Sequence, residues 1–192
     1  MERLGVFGGT FDPIHVGHLV AAVNARHALA LDRVLLVVAN QPWQKSDRGV
    51  TPGEERLALV EAAVEGAPGL EASRIEIDRG GDSFTADTLQ ELSGAQRKLF
   101  LIVGADVAAE LDTWERVDVA RRLATLVVVN RPGAAVPEIG LGWTVETVVV
   151  PQLEISSSDL RARAADGRPL DHLVPRAVIN RIRESGLYSG GR

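Results

Sequence analysis

A doubly wound α/β fold, a parallel sheet of five to six strands with helices on both faces, is predicted by three features of this 192-residue chain. Strand-like and helical runs alternate from end to end, the pattern of a parallel sheet joined by helical crossovers. The first apolar run ends in a glycine pair that leads toward a helix start, where a doubly wound sheet holds its ligand. With 45% apolar residues, the chain has enough material for one ordinary core.

The elements follow in order. Arg3–Phe7 is short, apolar and bounded by glycines, as expected of a buried strand. Further strands are predicted at Arg33–Val38, Ser73–Ile77, Lys98–Val103, Thr125–Val129 and Val145–Val150. Helices are predicted at Val16–Leu29, Pro52–Glu65, Thr85–Leu92, Val107–Leu111, Val117–Arg122, Ser157–Ala165 and Pro175–Glu184. Thr51-Pro52-Gly53-Glu54 reads as a capping box with proline in the first helical position. Gly186 reads as a C-terminal stop. The polar stretches Asn40–Val50 and Arg131–Gly142 read as loops within one domain spanning 1–192, with a helical C-terminal part from about residue 156.

Bulk properties exclude several classes. The longest apolar run, Val34 to Ala39, is far short of a membrane span, and Met1-Glu2-Arg3 leads straight into the first strand with no cleavable signal. No cysteine is present, which excludes disulfides and thiol catalysis and fits a cytoplasmic location. A formal charge of −5 gives no general attraction for nucleic acid or acidic membranes. An anionic substrate must therefore be held by local groups.

Residues 8 to 18, Gly-Gly-Thr-Phe-Asp-Pro-Ile-His-Val-Gly-His, offer such groups. Gly8 and Gly9 permit a sharp turn and close approach of an anion to the backbone. Pro13 ends regular structure, and His15 and His18 then fall at the first turn of a helix, where unpaired N–H groups favour negative charge. Each imidazole can donate to phosphate oxygens, or carry charge if a phosphate raises its pKa. Asp12 reads as a turn-forming carboxylate bonded to nearby N–H groups. Neither G-x-G-x-x-G nor the Gly-Lys-Ser/Thr phosphate loop is present, so a redox dinucleotide domain is disfavoured.

A second anion cradle is predicted at Ile155-Ser156-Ser157-Ser158-Asp159-Leu160-Arg161, where three hydroxyls open a helix and Arg161 falls one turn in. Lys45 is the only lysine between Met1 and Leu92, in the loop after the second strand. At Gly80–Leu89, Ser83, Thr85 and Asp87 compete to cap a helix, and Asp87 and Thr88 read as structural. After the fourth strand, Gly104 permits close approach of a base or ribose, Asp106 can accept from ribose hydroxyls, and Trp114 offers a flat apolar face. His27 and His172 read as structural or surface residues.

The first segment resembles the nucleotidyltransferase superfamily marked by H-x-G-H or T-x-G-H, and its longer form is similar to bacterial nicotinate-nucleotide adenylyltransferases. The resemblance extends over essentially the whole chain, with five or six motifs in order. Ile155–Arg161 resembles the family's I-S-S-T-x-I-R, Gly80–Leu89 its S-Y-T-x-D-T-L, and Gly104, Asp106 and Trp114 its G-x-D…W. Trp43-Gln44 stands where many members have a histidine beside the lysine, a departure from the pattern.

What the resemblance implies is specific. The fold would be the Rossmann-like nucleotidyltransferase sheet. ATP would be bound by Gly8, Gly9, Thr10, Phe11, His15, His18, Gly104, Asp106, Arg131, Ile155, Ser156, Ser157, Ser158 and Arg161, with Arg131 near the adenine. His15, His18, Lys45 and Arg161 would be catalytic. The mononucleotide would contact Asn40, Lys45, Phe84, Thr85 and Trp114, with N–H groups around Phe84 and Thr85 on the pyridine carboxylate. Free N–H donors suit a carboxylate better than a carboxamide, which favours the nicotinate substrate.

The reaction implied is adenylyl transfer from ATP to nicotinate mononucleotide in NAD biosynthesis. Magnesium would arrive with ATP, with no dedicated protein cage. Partners are the two substrates, with neither nucleic acid nor membrane, and self-association is left open. Alternatives are the nicotinamide-mononucleotide enzyme, pantetheine-phosphate adenylyltransferase (which typically has threonine in place of His15), and a non-catalytic module that senses NAD precursors.

Overall fold

The computed structural model describes residues 1–41, 49–130, 132–133, 139–140, 142–151 and 153–189. In chain order the elements are β1 (Glu2–Gly9), α1 (Val16–Ala28), β2 (Arg33–Val38), α2 (Gly53–Val64), β3 (Leu70–Ser73), α3 (Ile75–Arg79), α4 (Thr85–Leu92), β4 (Arg97–Gly104) and α5 (Ala105–Ala108). A 3-10 turn at Leu111–Thr113 precedes α6 (Val117–Leu123), β5 (Ala124–Asn130), β6 (Val145–Val149), α7 (Ser157–Asp166) and α8 (Arg176–Ser185).

All strand pairs are parallel, and the order is β3-β2-β1-β4-β5-β6. The strands alternate sides, as a two-residue side-chain period demands. Val34, Leu36 and Val38 of β2 enter one core, with α1, α2, α7 and α8 packed over it. Leu35 and Val37 enter the other, beneath α4, α5 and α6. Both sheet faces are therefore covered, which is why the strands read as continuous apolar runs. The predicted doubly wound architecture is the one observed.

Chain direction across the sheet reverses between β1 and β4, which are neighbours in register from Glu2 opposite Arg97 to Val6 opposite Leu101. Successive crossovers leave that seam in opposite directions, so the loops at its carboxyl end splay apart and leave a crevice.

Several local readings are corrected. Ser73–Ile77 is not a strand: β3 is Leu70–Ser73, and Ile75–Arg79 is the helix α3. The alternation Ile75, Ile77 that mimics a strand places Ile77 against one core and Ile75 against the other. The helix predicted at Val107–Leu111 is instead α5 with the following 3-10 turn. The capping box at Thr51 does not form; Pro52 is the N-cap, and Thr51 gives its carbonyl oxygen to Arg56 Nε at 2.6 Å. Nor do Ser83, Thr85 or Asp87 cap α4, whose N-cap is Phe84. Gly186 does end α8, at φ 64. Among the described residues no helix is long and apolar enough to cross a membrane.

Candidate functional site

The crevice begins where β1 ends. β1 runs through Gly8 and Gly9, so the turn expected at the glycine pair comes later, at Phe11, whose φ is 48. Gly9 is required by Phe11 itself, because a Cβ there would lie 2.8 Å from the ring. At Gly8 nothing lies within 4 Å of that position, and the close approach expected of the pair is available there.

His15 is the N-cap of α1, and its backbone N–H donates to His18 Nδ1 at 3.2 Å. The two rings stack with centroids 3.7 Å apart, and Phe11 meets the His18 ring edge-on at 5.1 Å. A nitrogen that accepts carries no proton, so the proton of neutral His18 resides on Nε2. His15 is buried, and desolvation pushes its pKa down to about 4. Its Nδ1 is buried without a hydrogen-bond partner among the described residues. Desolvation thus keeps His15 neutral near pH 7 in the absence of an anion.

The N-terminus of α1 also offers fewer donors than its sequence implies. Val16 N–H donates to Leu173 O at 3.0 Å, and the His15 N–H is taken by His18.

The hydroxyl-rich turn near the C-terminus lies against this loop. Ser156 caps α7 by accepting from Asp159 N at 3.2 Å. Ser157 Oγ donates to Pro13 O at 2.9 Å. Arg161 Nη1 donates to Asp12 O at 2.7 Å, across 149 positions of sequence. Helix α7 is thus bonded directly to the His15/His18 loop, with Arg161 about one-third exposed and Ser158 exposed beside it.

On the other side of β1 a cavity of about 230 Å³ opens between the ends of β1 and β4. Gly8, Gly9, Thr10 and Gly104 line it together with Phe84, Thr85 and Trp114. Gly104 is held by its own neighbour, since a Cβ would meet Asp106 Oδ1 at 2.6 Å. Asp106 is exposed at the start of α5. Asn40, expected to face the mononucleotide, donates through Nδ2 to Gly81 O at 2.9 Å and through its backbone to Ser83 Oγ at 2.8 Å. It ties the loop after β2 to the loop before α4. Ile155, half-buried, packs against the first core. Lys45 and Arg131 lie outside the described residues, as does Trp43-Gln44.

Two contributors were missed from sequence. Arg56, 1% exposed, donates to Thr51 O, Thr10 O and Asn40 O at 2.6, 2.7 and 3.0 Å. Its burial lowers the guanidinium pKa. A signal existed, because Arg56, Leu59 and Val60 fall on one helical stripe and the arginine interrupts an apolar face. Glu76, also buried, lines the cavity and accepts from Thr88 Oγ1 at 2.6 Å, with Arg79 Nη2 4.0 Å away. Thr88 and Asp87 are therefore not caps; Asp87 pairs with Arg116 Nη2 at 2.7 Å. Asp12 is no local turn former either, since Thr51 N and Tyr188 Oη both donate to its carboxylate from distant segments.

His27 and His172 are exposed. Among the described residues no group of three or more His, Cys, Asp or Glu is placed to hold a metal ion.

Residues 6–163 match the profile of the cytidylyltransferase-like family. The chain is 47% identical over 191 residues to a probable nicotinate-nucleotide adenylyltransferase of Corynebacterium kroppenstedtii, covering 97% of this chain and 90% of that one. A protein of the same description from Salinispora arenicola is 44% identical, covering 94% and 98%. The fold is similar to that of a Plasmodium falciparum nicotinic acid mononucleotide adenylyltransferase complexed with NaAD, with a TM-score of 0.78, 16% identity and 98% of each chain covered.

Proposed function

We propose, from the premise that this chain belongs to the cytidylyltransferase-like family and within it to the nicotinate-nucleotide adenylyltransferases, that it transfers the adenylyl group of ATP to nicotinate mononucleotide. The products are nicotinate adenine dinucleotide and pyrophosphate. The observation that carries the reading is the bonding of α7 onto the His15/His18 loop through Ser157 and Arg161, immediately beside an aromatic-walled cavity.

In the proposed reaction an oxygen of the mononucleotide 5′-phosphate attacks the α-phosphorus of ATP in line. The bond from that phosphorus to the bridging oxygen breaks, and pyrophosphate leaves with the electron pair. The attacking phosphate is already anionic, so no protein nucleophile is required. Positioning and charge neutralisation carry the catalysis. His18, with its Nε2–H as donor, acts on the α-phosphate; His15 and Arg161 act on the outer phosphates. Gly8, Gly9, Thr10, Phe11, Ile155, Ser156, Ser157 and Ser158 line the ATP side, with Gly104 and Asp106 on the ribose and Arg131 near the adenine.

The mononucleotide occupies the cavity, its ring on Trp114 and its carboxylate at the backbone N–H groups of Phe84 and Thr85. Within that lining Glu76 is paired with Thr88 and lies near Arg79, which balances its charge locally. Lys45 and Asn40 serve the incoming phosphate side, Asn40 through the loop contact described above. Magnesium enters on the triphosphate as part of the substrate.

The test is pyrophosphate release with ATP and, in turn, nicotinate mononucleotide, nicotinamide mononucleotide and phosphopantetheine. The reading requires the highest kcat/KM with the nicotinate compound. A higher value with either other acceptor reassigns the substrate, and no release with any of them leaves a sensor.

A further inference from the structure

The C-terminal end of the chain contributes to the loop that carries His15. Tyr188 lies two residues beyond Gly186, and its hydroxyl donates to Asp12 Oδ1 at 2.6 Å, across 176 positions of sequence. Asp12 is 4% exposed. Its Oδ2 accepts from Thr51 N at 3.3 Å and stands 4.0 Å from Arg161 Nη1. That same nitrogen donates to the Asp12 backbone oxygen at 2.7 Å.

Arg161 is therefore bonded to the peptide of Asp12 while standing off from its carboxylate. A buried carboxylate so close to a guanidinium is strongly drawn to it, and a bidentate pair is the strong form of that contact. Here both oxygens are held by other donors, Oδ1 by Tyr188 and Oδ2 by Thr51. Burial and the neighbouring Asp12 raise the phenol pKa, so Tyr188 remains a donor throughout the neutral range.

We propose that Tyr188 is a positioning residue for adenylyl transfer: by holding Asp12 Oδ1 it keeps the Asp12 carboxylate from closing on Arg161, so that the guanidinium stays turned to the substrate phosphates. The inference rests on the reading that Arg161 meets ATP. Asp12 and Tyr188 then touch no substrate, and the effect proposed for them on the substrate phosphates passes through Arg161.

The test is a double-mutant cycle on the full chain, with steady-state kinetics for ATP and urea unfolding on each protein. Tyr188→Phe removes one oxygen atom and is expected to raise the ATP KM or lower kcat by roughly tenfold in all, with a lower urea-unfolding midpoint because a buried carboxylate oxygen loses its donor. In an Arg161→Ala background the same substitution is expected to change kinetics less than about twofold. An equal loss in both backgrounds, or wild-type kinetics for Tyr188→Phe, overturns the proposal.

A second cycle does not depend on the phenylalanine variant folding. Asp12→Asn alters the charge opposite Arg161 and is expected to change the ATP KM in the presence of Arg161 but not in Arg161→Ala. Equal effects in both, or none in either, overturn the proposal as well. Absence of deamido-dinucleotide formation by the wild-type chain would instead refute the underlying reading.

Discussion

The backbone N–H of His15 donates to Nδ1 of His18 at 3.2 Å, so one histidine of the pair sets which nitrogen of the other carries the proton. With Nδ1 used as an acceptor, the proton of a neutral ring resides on Nε2. Phe11 and the stacked His15 hold the ring in place. A preorganised donor of this kind is most effective where charge develops during reaction.

His18→Ala is therefore expected to lower kcat by roughly 10²–10³, the scale of removing one transition-state donor. ATP binding, measured by calorimetry with a non-hydrolysable analogue, falls much less. Full activity in this variant would remove His18 from the mechanism.

His15 links stability to pH. Its pKa is about 4 in the folded protein, against about 6.5 for an exposed imidazole, so the unfolded chain binds the extra proton between those values. Stability conferred by the neutral ring is present above about pH 6.5 and is lost as pH falls toward 4. The full effect is roughly 3 kcal/mol. Replacing His15 with Gln is expected to flatten the dependence of urea-unfolding free energy on pH across that window. An unchanged slope would show that some other group carries it.

Arg56 anchors three loop carbonyls from within the core. Arg56→Ala leaves those oxygens without their donor and opens a cavity, and is expected to destabilise the fold by about 3 kcal/mol or more. Arg56→Lys recovers part of this, because an ammonium also donates but cannot span the same fork. Chemical denaturation of the three proteins gives the order wild type, Lys, Ala.

Trp114 borders the cavity without being fully buried. Trp114→Ala is expected to raise the KM for the mononucleotide by roughly 2–10-fold, the scale of one aromatic contact. The KM for ATP changes little. Comparable increases for both substrates would place Trp114 in a general structural role instead.

Much of this fold was legible in the chain. Arg33–Val38 and Thr85–Leu92 coincide with β2 and α4, because a continuous buried run and an amphipathic stretch each have one favoured conformation. Ile75–Arg79 was misread, since five residues are too few to separate a helical from an alternating pattern. The two anion-binding motifs could be recognised separately. The resemblance put both on one ATP, but the bonds that join them could not be read, because Ser157 and Pro13 are 144 positions apart and Arg161 and Asp12 149.

Chemistry at single residues followed the same division. Residue types and spacing along the chain determined the doubly wound sheet, the positions of the histidine and serine motifs, and the class of ligand they suit. Only the folded protein decided that His15 is neutral, that Gly9 accommodates Phe11, and that Asp12 is held by Thr51 and Tyr188. Local pattern encodes what neighbours along the backbone can do. Desolvation and hydrogen-bond partnership depend on segments far away in sequence, and these arise when the two faces of the sheet are closed.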